Sequence, residues 1–115
     1  MAGGISIHAV DIAAGRPARG LRVEIWRLAP DRTRLADGRL GADGLLQHAV
    51  VTGEGIVAGD YEALFHIDAF YRDGGRTEPA FLTIVPFRFA IHNIDEHLHL
   101  PLKFTPWGLS LFRGA

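Results

Sequence analysis

From His97 to Phe104 the chain alternates without a break: His97, His99, Pro101 and Lys103 fall on one face of an extended strand, and Leu98, Leu100, Leu102 and Phe104 on the other. A period of two with one wholly apolar face is the pattern of a half-buried antiparallel strand, and no helix satisfies it. The opposite face carries two imidazoles, which packing does not require. Thr105-Pro106-Trp107-Gly108 then spells a turn, and Leu109 to Arg113 a second strand on which Ser110 and Phe112 share a face. The segment predicts a hairpin whose polar side is the first candidate for one wall of a hydrolytic site.

The same alternation recurs along the chain. Ile5 to Asp11 sets Ile5, Ile7 and Ala9 against Ser6, His8 and Val10, so another imidazole lies on a less apolar face. Residues 13–20 have the Gly and Pro content of a loop. Leu21 to Leu28 alternates Leu21, Val23 and Ile25 against Arg22, Glu24 and Trp26, and residues 30–33 form a turn. Arg34 to Gly44 predicts a short strand closed by a turn at Asp43-Gly44, Leu45 to Val51 another short strand, and Thr52 to Asp60 a glycine-punctuated loop. Tyr61 to Ile67 has the pattern of a central strand, and Asp68 to Arg72 suits one or two helical turns stopped by Gly74-Gly75. Phe81 to Phe89 is β-branched and aromatic; Pro86, with no N–H to donate, predicts an edge position or a bulge there. Short strands separated by turn signals, with almost no helical periodicity, specify an all-β chain folded as a β-sandwich.

With 115 residues the chain makes one domain, large enough to bury a core without covalent staples. It has no cysteine, which removes disulfides and thiol catalysis and fits a reducing compartment. A net charge of -1 with scattered signs leaves no basic stripe for phosphates, so nucleic acid is not an expected partner. No stretch approaches the roughly 18 apolar residues of a spanning helix, and the start, MAGGISIHAVD, lacks the basic and apolar regions of a secretion signal. The expectation is a soluble, cytoplasmic protein with no membrane partner.

Ile7-His8-Ala9-Val10-Asp11 followed by Gly15-Arg16-Pro17-Ala18, then Gly59-Asp60-Tyr61-Glu62, His97-Leu98-His99-Leu100-Pro101-Leu102 and Phe112-Arg113-Gly114-Ala115 stand in order along nearly the whole chain. Together they resemble the transthyretin-like proteins and, within them, the 5-hydroxyisourate hydrolases. The corresponding family segments read His-Val-Leu-Asp with Gly-x-Pro-Ala, Gly-x-Tyr-Glu, His-Tyr-His-Val-Pro-Leu and Tyr-Arg-Gly-Ser. The resemblance implies a transthyretin-like (prealbumin-like) β-sandwich of seven to eight strands with one short helix, assembled as a homotetramer. It places active sites in a channel between dimers, lined by outer-face residues of the first strand and the last two. It further implies a small purine-derived substrate and no cofactor. Carried over residue by residue, the hydrolases' catalytic histidines are His8 and His99. Their arginine after an Asp-Gly turn is Leu45 here, the tyrosine of the last tetrapeptide is Phe112, and its serine is Ala115. Arg39, after the earlier Asp37-Gly38, is a less favoured substitute for the missing guanidinium. His97, Pro101 and Ser110 complete the expected substrate-binding set with Leu45 and Phe112, and Lys103 is expected to face the channel.

Opening a cyclic ureide needs a base to take a proton from water and donors to hold the developing oxyanion. Histidine titrates near neutral pH and suits the first task. The changes to Leu45, Phe112 and Ala115 introduce no charge and remove hydrogen-bonding groups, so the pocket is re-lined. An unmatched buried donor costs about 1–3 kcal/mol, which turns such a pocket toward a substrate lacking the matching groups. N-methylated 5-hydroxyisourates, from oxidation of methylated uric acids such as those derived from caffeine, are substrates of that kind. Two alternatives stand beside this one. One is an ordinary 5-hydroxyisourate hydrolase of urate degradation. The other is an inactive small-molecule binding protein, since vertebrate transthyretin carries small aromatic hormones in the same channel without the catalytic histidines. Three converging histidines would also suit zinc, although no carboxylate or thiolate is spaced with them and the resembling enzymes need no metal. His48, His66 and His92 are expected on loops or strand surfaces without a role, and Arg113 as a structural partner of a carboxylate.

Overall fold

The computed structural model describes residues 2–114; Ala115, at the serine position of the last tetrapeptide, lies outside the described residues. In chain order the elements are β1 (Ile5–Asp11), β2 (Arg16–Pro17), β3 (Arg22–Ala29), β4 (Thr33–Arg39), β5 (Gly59–His66), the helix α1 (Ile67–Asp73), β6 (Ile84–Ile91), β7 (Leu98–Phe104) and β8 (Leu109–Leu111). They form two four-stranded sheets, ordered β2-β1-β7-β8 and β4-β3-β5-β6. The all-β sandwich with one short helix is thus the observed architecture.

The apolar halves of the alternating strands make the core. Ile5, Ile7 and Ala9 of β1 and Leu98, Leu100, Leu102 and Phe104 of β7 are buried with Val23 and Ile25 of β3 and Tyr61, Ala63 and Phe65 of β5. Each large side chain buried this way contributes roughly 1.5–3 kcal/mol. That driving force sets the register of the parallel pair β1 and β7, which runs from Ile5↔Leu98 to Asp11↔Phe104. A slip by one residue would turn the apolar row of the slipped strand to solvent. It also lines up the polar halves, so Ser6, His8, His99 and Pro101 share the outer face.

Tyr61 ties the second sheet to the preceding loop. Its buried hydroxyl donates to the Val57 carbonyl at 2.7 Å and accepts from the Val57 N–H at 3.1 Å. Replacing it with Phe leaves both backbone groups unpaired, so Tyr61→Phe is expected to cost about 1–3 kcal/mol. A urea unfolding curve indistinguishable from wild type would refute that role. Beyond β5, α1 lays Phe70 and Tyr71 edge-on against Phe104, and the Tyr71 hydroxyl donates to buried Asp11 at 2.7 Å. Burial, then this bond to Asp11, pushes the Tyr71 phenol well up.

Several expectations are corrected. Leu45 to Val51 is not a strand: Leu45 makes a single bridge to His8, and Ala49–Thr52 is a 3₁₀ helix. His48 causes the change, because its Nδ1 caps the helix by accepting from the Val50 N–H at 3.0 Å. The strand expected over 34–44 ends at Arg39, and the last strand stops at Leu111. His66 has a structural part, sitting 2.6 Å from the buried Glu24 carboxylate. Burial alone would raise the Glu24 carboxyl, but bonds from His66 and Trp26 and the nearby Arg22 charge outweigh it and hold it below the ordinary carboxylate range. Pro86 does lie in an edge strand, β6, where the missing N–H is harmless. Among the described residues no helix is long and apolar enough to cross a membrane.

Candidate active site

The outer face of the β2-β1-β7-β8 sheet is read most directly as rows across the strands. His8 pairs with Pro101 on one side and is bridged by Leu45 on the other. The β7–β8 register runs from Leu102↔Leu111 to the His99↔Gly114 bridge, which puts Phe112 opposite Pro101. One row therefore reads Leu45, His8, Pro101, Phe112: a single imidazole among three apolar groups. The next row reads Ser6, His99, Gly114, and the row on the other side Val10, Lys103, Ser110. His97 lies one pleat beyond His99. The residues expected to bind or transform substrate lie on this face, with Leu45 and Pro101 directly beside His8 and His99 one row away.

Local backbone chemistry fixes the Leu45 end of the row. Gly41 to Leu45 closes a turn in which the Asp43 carboxylate accepts from the Leu45 N–H at 3.0 Å and the Gly44 N–H donates to the Gly41 carbonyl at 2.9 Å. The turn then runs beside β1, with Ala9 N–H donating to Gly44 O at 3.0 Å and Leu46 N–H to Ile7 O at 3.1 Å. Gly44 makes this approach possible: its φ is +78°, and a Cβ there would lie 2.6 Å from the Ala9 carbonyl oxygen and 3.3 Å from the His8 ring. Gly44→Ala is expected to lose at least about 1–2 kcal/mol through the left-handed backbone alone. An unchanged thermal midpoint would refute this packing.

Hydrogen bonds orient the three imidazoles. His8 Nε2–H donates to the Asp43 carbonyl at 3.0 Å. The Ser6 hydroxyl stands between the other two rings, 2.7 Å from His99 Nδ1 and 2.9 Å from His97 Nε2, and His97 Nδ1–H donates to the Gly3 carbonyl at 2.5 Å. His99 is half-buried, and a Cβ at Gly114 would lie 3.0 Å from its ring. Burial, then the repulsion that a proton on His8 or His97 would exert, lowers the His99 pKa from its ordinary 6.5, which favours the neutral ring.

The face brings together His8, His99, His97, Leu45, Pro101, Phe112 and Ser110, and Lys103 lies exposed beside Ser110. It does not bring Arg39, whose guanidinium donates to the Gly20 carbonyl at 3.1 Å and lies 3.5 Å from Asp73. Arg113 pairs with Glu96 at 2.5 Å. Among the described residues no trio of His, Cys, Asp or Glu is disposed to hold a metal ion; the hydroxyl between His97 and His99 occupies two of the ring nitrogens. Ser6 and the Asp43 carbonyl were not among the expected site residues. Ser6 was legible as a polar side chain two residues before His8 on the same face, whereas the Asp43 carbonyl carries no side-chain signal at all. The cleft of about 680 Å³ elsewhere on the chain, between α1 and residues 11–20, holds none of the histidines. In the single chain their face is open, with Phe112 51% exposed.

Comparison with known proteins gives the lineage. The family model described as HIUase/Transthyretin matches residues 5–114. The chain is 38% identical over 116 residues to 5-hydroxyisourate hydrolase 2 of Rhizobium meliloti (strain 1021), covering 98% of this chain and 97% of that one. Among solved structures, (S)-allantoin synthase superposes with a TM-score of 0.89 at 31% identity, over 99% of this chain and 44% of that chain. The 5-hydroxyisourate hydrolase of Klebsiella pneumoniae superposes with a TM-score of 0.81 at 29% identity, over 96% and 97% of the two chains.

Proposed function

We propose, from the premise that this chain belongs to the HIUase/Transthyretin family, that it hydrolyses the ring of a 5-hydroxyisourate and prefers an N-methylated one. The observation that carries the reading is the pairing of His8 and His99 on one face with Leu45, Pro101 and Phe112 in the same row as His8. The lowered pKa of His99 favours its neutral ring, the form a base requires. It takes a proton from a water molecule whose oxygen adds to the ring carbonyl carbon; the ring C–N bond then breaks, and the proton passes to the departing nitrogen. The product carries a new carboxylate. His8, anchored through Nε2–H to Asp43, orients the same water. Leu45 and Phe112 offer no hydrogen bond where the family resemblance puts a guanidinium and a phenol. A methyl group meets them without stranding a donor, whereas a ring N–H at the same place loses its partner.

The reading includes a second copy of the chain covering this open face, as a homotetramer with the substrate in an intersubunit channel. A half-exposed Phe112 beside catalytic imidazoles is poorly shielded from water otherwise. Light scattering should return a mass of four chains.

The deciding experiment follows the ultraviolet absorbance of freshly oxidised urate and 1,3,7-trimethylurate with and without the protein. Faster decay of the trimethyl compound, with a higher kcat/KM than the plain one, supports the proposal. Equal or faster turnover of plain 5-hydroxyisourate overturns the methylated preference and leaves the ordinary hydrolase. Saturable binding of both with no turnover overturns hydrolysis and leaves a small-molecule carrier.

A further inference from the structure

The geometry points to Ser6 as a positioning residue: together with His97 and the Gly3 carbonyl it fixes the tautomer of His99, leaving the lone pair on Nε2. This deepens the hydrolase proposal and rests on it only where turnover is concerned. The relay starts at the Gly3 carbonyl. A backbone carbonyl only accepts, so the nitrogen 2.5 Å from Gly3 O, His97 Nδ1, must carry a proton. In neutral His97 the other nitrogen, Nε2, is then an acceptor. Its partner at 2.9 Å is the Ser6 hydroxyl, which therefore spends its single proton on His97. Ser6 Oγ has only lone pairs left for its second partner, His99 Nδ1 at 2.7 Å, so that nitrogen must donate. Neutral His99 is accordingly the Nδ1–H tautomer, with Nε2 unprotonated. An imidazole without such a relay has no fixed choice between its two nitrogens.

The residues around the relay are shaped for it. Gly3 has an ordinary backbone conformation, yet a Cβ there would fall against the Glu96 carbonyl, so any larger residue would move the oxygen that starts the chain of bonds. The Gly3 N–H is itself tied to the Ile94 carbonyl at 2.7 Å. At the other end a side chain at 114 would crowd the His99 ring, since a Cβ there would lie 3.0 Å from its Cδ2, and glycine leaves the ring its place. His8 independently reaches the complementary state. Its Nε2–H is committed to Asp43, so its Nδ1 carries the lone pair. Two neutral imidazoles with free lone pairs can accept both protons of one water, leaving the oxygen lone pairs for attack.

The test is spectroscopic and needs no substrate. In ¹⁵N-labelled protein at neutral pH, long-range ¹⁵N–¹H correlation separates protonated from unprotonated ring nitrogens. The expected wild-type result is Nδ1–H for both His97 and His99, and Nε2–H for His8. Ser6→Ala removes the acceptor and should send His99 to a mixture or to Nε2–H, while Ser6→Thr, which keeps the hydroxyl, should retain Nδ1–H. Turnover should follow: a fall of about tenfold in kcat for Ser6→Ala, less than the roughly 10²–10⁴-fold that a general base contributes, with rescue in Ser6→Thr. An Nε2–H His99 in the wild type, or an unchanged His99 tautomer in folded Ser6→Ala, overturns the relay. A wild type with the expected tautomers and no turnover of any hydroxyisourate leaves the relay standing and removes only the hydrolase proposal.

Discussion

His99→Ala should lower kcat on the preferred hydroxyisourate by about 10²–10⁴-fold, the contribution of a positioned general base, without unfolding the protein. The side chain stands on the outer face, and the leucines on either side of it make the core contacts. The pH profile of the wild type carries the more specific expectation. Burial first, then the charges of His8 and His97, lower the His99 pKa from the ordinary 6.5. A base works only when neutral, so the acid limb of the activity profile should lie below 6.5, as the lowered His99 pKa requires. His8→Ala removes one of the two charges that depress His99 while leaving most of its burial. Its residual activity should therefore show an acid limb moved upward, toward 6.5. An acid limb unmoved or moved downward would mean that His8 and His99 do not sense each other, and the shared-water proposal would fail with it.

The second large effect is a reversal of preference. Leu45→Arg with Phe112→Tyr places a guanidinium and a phenol at the two ends of the His8 row. If the apolar lining selects methylated rings, each restored group should favour the plain substrate by about 1–3 kcal/mol, or 5- to 150-fold in the ratio of kcat/KM values. The trimethyl compound should lose at the same time, because its methyl groups would strand the new donors. The double variant is therefore assayed on both substrates in one preparation, and only the ratio is interpreted. A ratio unchanged within twofold would place the selectivity elsewhere. Leu45 is only half-buried and Phe112 half-exposed, so neither substitution opens a cavity in the core.

The strands were legible wherever one face is buried and the other wet, because burial imposes a period of two that composition cannot imitate. Residues 5–11 and 98–104 illustrate it, their observed bounds falling at or within one residue of the expected ones. The segment after Gly44 was misread for the complementary reason. Leu45, Leu46, Val50 and Val51 are apolar enough for a strand, but a single histidine cap and a glycine on either side turned the chain into a 3₁₀ helix. Short apolar runs do not distinguish the two outcomes until a backbone partner is known. At the site, pattern and motif singled out His8, His99, Leu45 and Phe112. They could not say that Leu45 would be a direct cross-strand neighbour of His8, since that contact depends on a turn packing against β1.

The amino-acid sequence alone determined that the chain would be a two-layer β-structure and which side chains would face outward, because alternation along a strand is a local property of the backbone. It also set apolar side chains at 45 and 112, where the family resemblance implies a guanidinium and a phenol. Tertiary structure decided the rest: that the first and seventh strands run parallel at a register bringing Ser6 opposite His99, and that a glycine carbonyl and a serine hydroxyl stand in line with two imidazoles. A tautomer is set by the acceptor at the far end of a hydrogen-bond chain, and that acceptor is 96 positions away from His99 along the chain. No local rule reaches so far.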